Sequence, residues 1–309
     1  MLKVGISSPW GIFAMTPEER TASLRAIADA DLDHLFIADH VSFRGGFGTD
    51  ALVHLAALSG IEPRLDLYLG VFLLALRHPV VAARQIVTLA EAAPGRVHLG
   101  IGVGGEDRHE FEVCGIDPAT RGRRTDAAMQ IVRALLAGET VNWSDEFFQI
   151  DDGQIRPSPS QAIPIIVGGR SNAALDRAGR LGDGWLGAWC SSRRFSEGVD
   201  RVAAAAAAAD RSVEWRHGMQ LWVGVGDTHE AAKATVAAGM AKFYRIPFAP
   251  FEKYTPCGTA QDIAEFMFPY VEAGATTLNL TPVGPDRETE LATIAEVKRL
   301  LSPYDRAVA

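Results

Sequence analysis

Eight times along this chain a short run of β-branched and leucine-rich residues gives way to a longer segment of helical periodicity, and that rhythm limits the possible folds. The strand-like runs fall at residues 4–6, 35–38, 67–73, 96–103, 163–167, 185–188, 220–225 and 276–280. Helices are predicted over 17–31, 49–59, 79–93, 120–137, 172–181, around 203–209, 229–241, 260–273 and 287–301. Thr16 with Glu19 forms a capping box for the first helix, and Pro79 suits a first helical position. Strands separated by helices run parallel, and eight such units in 309 residues is the size of a (β/α)8 TIM barrel. An open doubly wound sheet is the alternative. No break in composition marks a second domain. The expectation is therefore one barrel domain over residues 1–309, with insertions at its C-terminal face at about 138–161 and 243–258.

A net charge of −8 and a pI near 5.5 argue against nucleic acid or an anionic membrane as a partner. Cys114, Cys190 and Cys257 are odd in number and far apart, which suits a reducing cytoplasm better than a disulfide framework. The amino terminus shows no signal-peptide pattern, and the longest apolar stretch, 67–76, is about half of what a membrane span needs. A cytoplasmic protein is expected.

In a barrel the C-terminal ends of the strands face the active site. The second strand runs into Asp39 and His40, and adjacent strand residues point to opposite faces, so His40 is the better pocket residue and acid–base group. A histidine satisfied within the core is the plainer reading. Gly100, Gly102 and Gly105 formally match the dinucleotide fingerprint but lie within a strand, with three βα units before them. They read better as backbone laid bare for a flat ligand, with Glu106 and Asp107 at the pocket mouth. Gly168-Gly169-Arg170-Ser171 leads a strand into a helix whose N-cap is Ser171 or Asn172, a suitable cradle for phosphate or else a tight turn with an ordinary cap. Between 243 and 258, Phe243, Tyr244, Phe248, Phe251 and Tyr254 sit among three prolines, so that this segment is expected to be irregular and to cover something. Nucleophile and metal motifs are missing from the sequence, which leaves the chemistry to a cofactor.

The stretches ADHV at 38–41, LRHPVVAARQIVTLAEAAPGRVHLGIGVGG at 76–105, TRGRRTDAAMQIVRALLAGETV at 120–141 and PIIVGGRSNAALDRAGRLGDGW at 164–185 together resemble the bacterial-luciferase-like superfamily, and more closely its coenzyme F420-dependent oxidoreductases. The resemblance implies a barrel holding F420 or FMN, a small organic substrate and a homodimer. It implies that His40 lies beside the reactive carbon, helped by Glu106, that Gly168, Gly169 and Arg170 bind the cofactor phosphate, and that Asp39, Gly104 and Gly105 line the cofactor site. It places a non-proline cis peptide, or a bulge, at Gly70-Val71, behind the ring. Two departures bear on the substrate. Phe43 and Arg44 stand where some F420 dehydrogenases carry tryptophan, and the slot of a catalytic glutamate falls on Gly105, one residue before Glu106. Both disfavour oxidation of sugar phosphates or simple alcohols and leave reduction of a larger enone or imine open. An FMN-dependent monooxygenase and a non-catalytic carrier of either cofactor are the alternatives.

Overall fold

The strand-like runs pair side by side and in parallel in the computed structural model, which describes residues 2–245 and 247–304. The barrel strands are β1 (Lys3–Ser7), β2 (His34–Ile37), β3 (Asp66–Phe72), β4 (Val97–Ile101), β5 (Ile165–Gly168), β6 (Gly184–Ala188), β7 (Gly218–Val225) and β8 (Thr277–Val283). Each pairs with the next in sequence, and β8 pairs with β1, closing the eight-stranded barrel. The seam between β7 and β8 is the longest, running in register from Gly218 opposite Thr277 to Gly224 opposite Val283.

Helices cover the outside: α1 (Pro17–Asp29), α2 (Ala51–Leu58), α3 (Pro79–Ala92), α4 (Arg108–Glu112), α5 (Arg121–Leu136), α6 (Asn172–Leu181), α7 (Ser192–Ala207), α8 (His229–Tyr244), α9 (Ala260–Glu272) and α10 (Arg287–Leu301). The capping box at Thr16 and Glu19 is present, with both bonds formed. Between strands and helices lies the main core, where side chains such as Leu35, Leu69, Ile86, Leu99, Val223 and Ile294 are fully buried. Each such side chain stabilises the fold by roughly 1.5–3 kcal/mol relative to exposure. No helix among the described residues is long and apolar enough to cross a membrane.

Inside the barrel, Phe36, Tyr68, Ile166 and Leu186 form a second apolar cluster, with half-buried Val71 packed on it. A polar chain crosses this interior. His34 Nε2 bonds Asn279 Oδ1 at 2.7 Å, Asn279 Nδ2 donates to Gln220 Oε1 at 3.3 Å, and Gln220 Nε2 donates to the Gly70 carbonyl at 3.3 Å. Gly5 makes room for it: a Cβ there would lie 2.2 Å from the His34 ring.

Several elements differ from what the sequence predicts. The helix expected around 203–209 begins eleven residues earlier, at Ser192, where Ser191 caps it by accepting from the Arg194 N–H, and Gly198 lets it pack on the Trp185 ring, 2.5 Å from where a Cβ would be. Residues after Glu106, which carry no apolar period, form the short helix α4 with Asp107 as its N-cap. The 243–258 segment is less irregular than its prolines suggest. α8 runs on to Tyr244, a 3-10 turn covers Glu252–Tyr254, and Cys257–Gly258 pairs with the end of β7. The 138–161 segment joins α5 to β5 and so leaves from the N-terminal end of the barrel. It folds as a hairpin of Val141–Ser144 and Gln149–Gly153, with Arg124 of α5 lying 4.5 Å from the Phe148 ring.

Candidate active site at the strand C-terminal ends

β2 stops at Ile37, and the two residues that follow Ala38 diverge, as strand geometry requires. Asp39 turns into the protein and is 1% exposed. Its carboxylate accepts from both guanidinium nitrogens of Arg77, at 2.5 and 2.9 Å, and from the backbone N–H groups of Ala51 and Leu73, at 3.1 and 3.0 Å. With every lone pair engaged in this way, Asp39 is an internal tie between β2, β3 and α2. A place for Asp39 in the cofactor lining would therefore rest on its backbone and not on its carboxylate.

His40 opens a small antiparallel hairpin, His40–Phe43 with Phe47–Thr49, and is half-buried. Its ring stacks on Phe43 with centroids 4.2 Å apart. Its Nδ1 lies 3.2 and 3.3 Å from the two carboxylate oxygens of Glu110, and Nε2 has no hydrogen-bond partner among the described residues. Glu110, on α4, is 2% exposed and accepts from the backbone N–H of Val41 at 2.7 Å and of Ser42 at 3.3 Å. Burial raises its carboxyl, but the His40 ring and the two N–H groups outweigh that and hold it below the usual range. The sequence reading paired His40 with Glu106. In the structure Glu106 is exposed and makes no side-chain hydrogen bond among the described residues, and the carboxylate that meets His40 is Glu110. The signal for Glu110 was faint, because a five-residue helix shows no period from which to read its buried face.

Asp107 completes the clamp, its Oδ2 accepting from the Arg44 N–H at 2.7 Å. Two carboxylates of the α4 segment thus hold three backbone N–H groups of the hairpin, those of Val41, Ser42 and Arg44. On the other side of the mouth, Trp222 from β7, Phe243 and Tyr244 from α8, and Trp10 pack together, Trp222 tilted against Phe243 and Tyr244 and Trp10 edge to face on Phe243 with centroids 5.2 Å apart. Phe43 reaches the same group, 6.4 Å from Phe243. The aromatic residues around 243 therefore cover the barrel mouth beside His40.

The Gly70–Val71 peptide is cis, as the resemblance implied, and the β3–β4 register shifts there. Gly70 faces the barrel interior, where a Cβ would lie 2.9 Å from Gln220 Oε1. The Val71 side chain lies over three glycines: a Cβ on Gly100, Gly102 or Gly168 would fall 3.2, 2.3 or 2.8 Å from its methyl groups. Gly104 and Gly105 have positive φ, and a Cβ on them would meet Phe111 at 2.9 Å and Arg121 Nε at 2.7 Å. These glycines leave room for the protein's own side chains. Along the Cβ directions of β4 the neighbour is therefore Val71, and a ligand over β4 would meet backbone and Val71 together.

At the end of β5, the Gly169 N–H points to the Leu186 carbonyl at 3.4 Å, and its own carbonyl accepts from Trp185 Nε1 at 2.7 Å. Gly168 and Gly169 are thus engaged with β6. The N–H groups that α6 leaves open are those of its first turn, behind the Ser171 cap, where exposed Arg170 and half-buried Arg194, bonded to Asn172 Oδ1 at 2.8 Å, add positive charge. Two further donors lack acceptors among the described residues: Arg44 Nε and Arg121 Nε are buried, and both residues touch the 105–107 turn. This donor set, an apolar Val71 wall and the unpartnered His40 Nε2 suit a ring-bearing anion.

A family model described as luciferase-like monooxygenase matches residues 2–270. An F420-dependent glucose-6-phosphate dehydrogenase from Beutenbergia cavernae is 32% identical over 204 residues, covering 64% of this chain and 59% of that protein. An uncharacterised protein from Mycobacterium tuberculosis is 38% identical over 137 residues, or 44% and 47% of the two chains. The chain thus spans about half the length of these curated relatives. A solved F420-dependent secondary alcohol dehydrogenase, in complex with an F420–acetone adduct, superposes with a TM-score of 0.82 at 18% identity over 99% of both chains.

Proposed function

This chain belongs to the luciferase-like monooxygenase family, and on that premise we propose that it is an oxidoreductase that uses coenzyme F420 to move a hydride to or from a small organic substrate. The observation that carries the reading is His40, fixed at the barrel mouth by Glu110 and Phe43 with Nε2 left for a reacting partner. The names of curated relatives support F420 over other cofactors.

The residues that would hold the cofactor are Val71 as the wall behind the ring, the first-turn N–H groups of α6 with Arg170 and Arg194 at the phosphate, and Arg121 near the 105–107 turn. When bound, the deazaflavin supplies or accepts the hydride. The chain's own part is to move the accompanying proton. His40 Nε2 takes the proton of a substrate hydroxyl in oxidation and, once protonated, returns one to the substrate in reduction. Trp222, Phe243 and Tyr244 exclude water from that exchange.

The aromatic mouth favours an apolar, ring-bearing enone or imine as substrate. Exposed Trp10 and Phe47, at 65% and 62%, extend that surface at the rim. The homodimer implied by the resemblance is part of this proposal, and Val53 of α2 and Val81 of α3 are exposed apolar side chains for it to cover. The family description keeps a second reading alive, a monooxygenase using reduced FMN. Titration of the purified protein with F420 and with FMN, each oxidised and reduced, followed by cofactor fluorescence, separates the two. Micromolar binding of F420 with much weaker FMN binding is expected, and binding of FMN alone would overturn the proposal.

A further inference from the structure

We infer that Glu110 is a positioning residue that fixes the tautomer of His40, putting the proton of the neutral ring on Nδ1 and leaving the Nε2 lone pair facing the reaction. Three donors converge on this one buried carboxylate: the N–H groups of Val41 and Ser42 and the Nδ1 of His40. An ionised carboxylate only accepts, so the ring nitrogen that meets it must carry hydrogen. A neutral imidazole has one N–H, and Nε2 is then left as a base. Phe43 fixes the plane of the same ring by stacking, so that ring plane and tautomer are set by different residues. The other titratable group facing the carboxylate is Cys114, with Arg77 beyond it.

The backbone bonds make this arrangement separable from simple support of the hairpin. In Glu110→Gln, the amide oxygen can still accept from Val41 and Ser42 and keep the hairpin clamped. Its NH2 group can only donate toward Nδ1, which drives the ring proton to Nε2 and removes the base. The inference rests on the proposed function only in taking Nε2 as the reacting atom.

The test is a two-dimensional 15N–1H spectrum of the imidazoles in the protein without cofactor, with the His40 signals assigned by loss in His40→Gln. The parent protein is expected to show the Nδ1–H tautomer and Glu110→Gln the Nε2–H tautomer. A parent His40 in the Nε2–H form would overturn the inference, whether or not the variant folds. So would an unchanged tautomer in folded Glu110→Gln. With an accepted substrate, kcat of Glu110→Gln should fall by roughly 10²–10⁴-fold while F420 affinity changes by less than about threefold. Loss of F420 affinity with kcat unchanged would also overturn it. Because the spectrum involves no cofactor, its failure is distinct from failure of the F420 proposal.

Discussion

Asp39→Asn keeps the shape of a buried side chain and removes its charge, which separates a structural tie from a cofactor contact. In the parent, the carboxylate is fully buried against Arg77, itself 14% exposed, and accepts four bonds. The amide places an NH2 where an oxygen had faced either the Ala51 or the Leu73 N–H, and it leaves the Arg77 guanidinium without its closest anion. Breaking a buried ion pair from one side costs about 3–5 kcal/mol. Arg77 retains Asp50 at 3.3 Å, so the lower end, about 3 kcal/mol, is expected. For a domain of this length that corresponds to a fall of about 5 °C in Tm. The assay is urea unfolding followed by circular dichroism, with the slope of the transition unchanged and its midpoint lowered. Fluorescence titration should show F420 affinity within about threefold of the parent once the variant is held below its transition. A variant as stable as the parent that has lost cofactor affinity would refute the reasoning and return Asp39 to the cofactor site.

Gly102→Ala places a Cβ 2.3 Å from Val71, and overpacking of this kind costs about 1–3 kcal/mol, so Tm and F420 affinity should fall together. Gly60→Ala, where a Cβ meets nothing within 4 Å, is the control that should change neither. Burial pushes the imidazoles of His34, His54 and His217 down to about 4, below the value near 6.5 of an unfolded chain. Between those values the unfolded state binds more protons, so stability should be level above pH ~6.5 and fall by about 2 kcal/mol per group by pH 5. Urea midpoints that do not move between those two pH values would contradict this. His40→Ala should lower turnover by roughly 10²–10⁴-fold with cofactor affinity nearly unchanged, and near-full activity in a steady-state assay would make His40 structural.

The barrel was legible because strand and helix periods alternate so regularly. β2 and β4 came out within a few residues of the runs read from the sequence, and the capping box at Thr16 placed α1 correctly. His40 was legible from position, since only one residue of a strand-end pair can face the mouth. Its carboxylate partner was not. Glu106 directly follows the glycines, whereas Glu110 reaches His40 only because Asp107 starts a helical turn that swings it inward. The glycines are legible only in part, for a related reason. A glycine in a strand announces a close approach but not by what, and here the approaching group is Val71 or Arg121. Long-range packing of that kind leaves no local period in the sequence.

The measurement that bears most directly on the account is the oxygen dependence of cofactor turnover. Protein supplied with reduced F420 is given a panel of apolar enones and imines, with dioxygen excluded and then admitted, and oxidation of the cofactor is followed by absorbance. The account predicts oxidation that begins on addition of an acceptor substrate, proceeds at the same rate with and without dioxygen, and falls sharply in His40→Ala. Turnover that requires dioxygen and reduced FMN, with reduced F420 inert towards every acceptor, would contradict it.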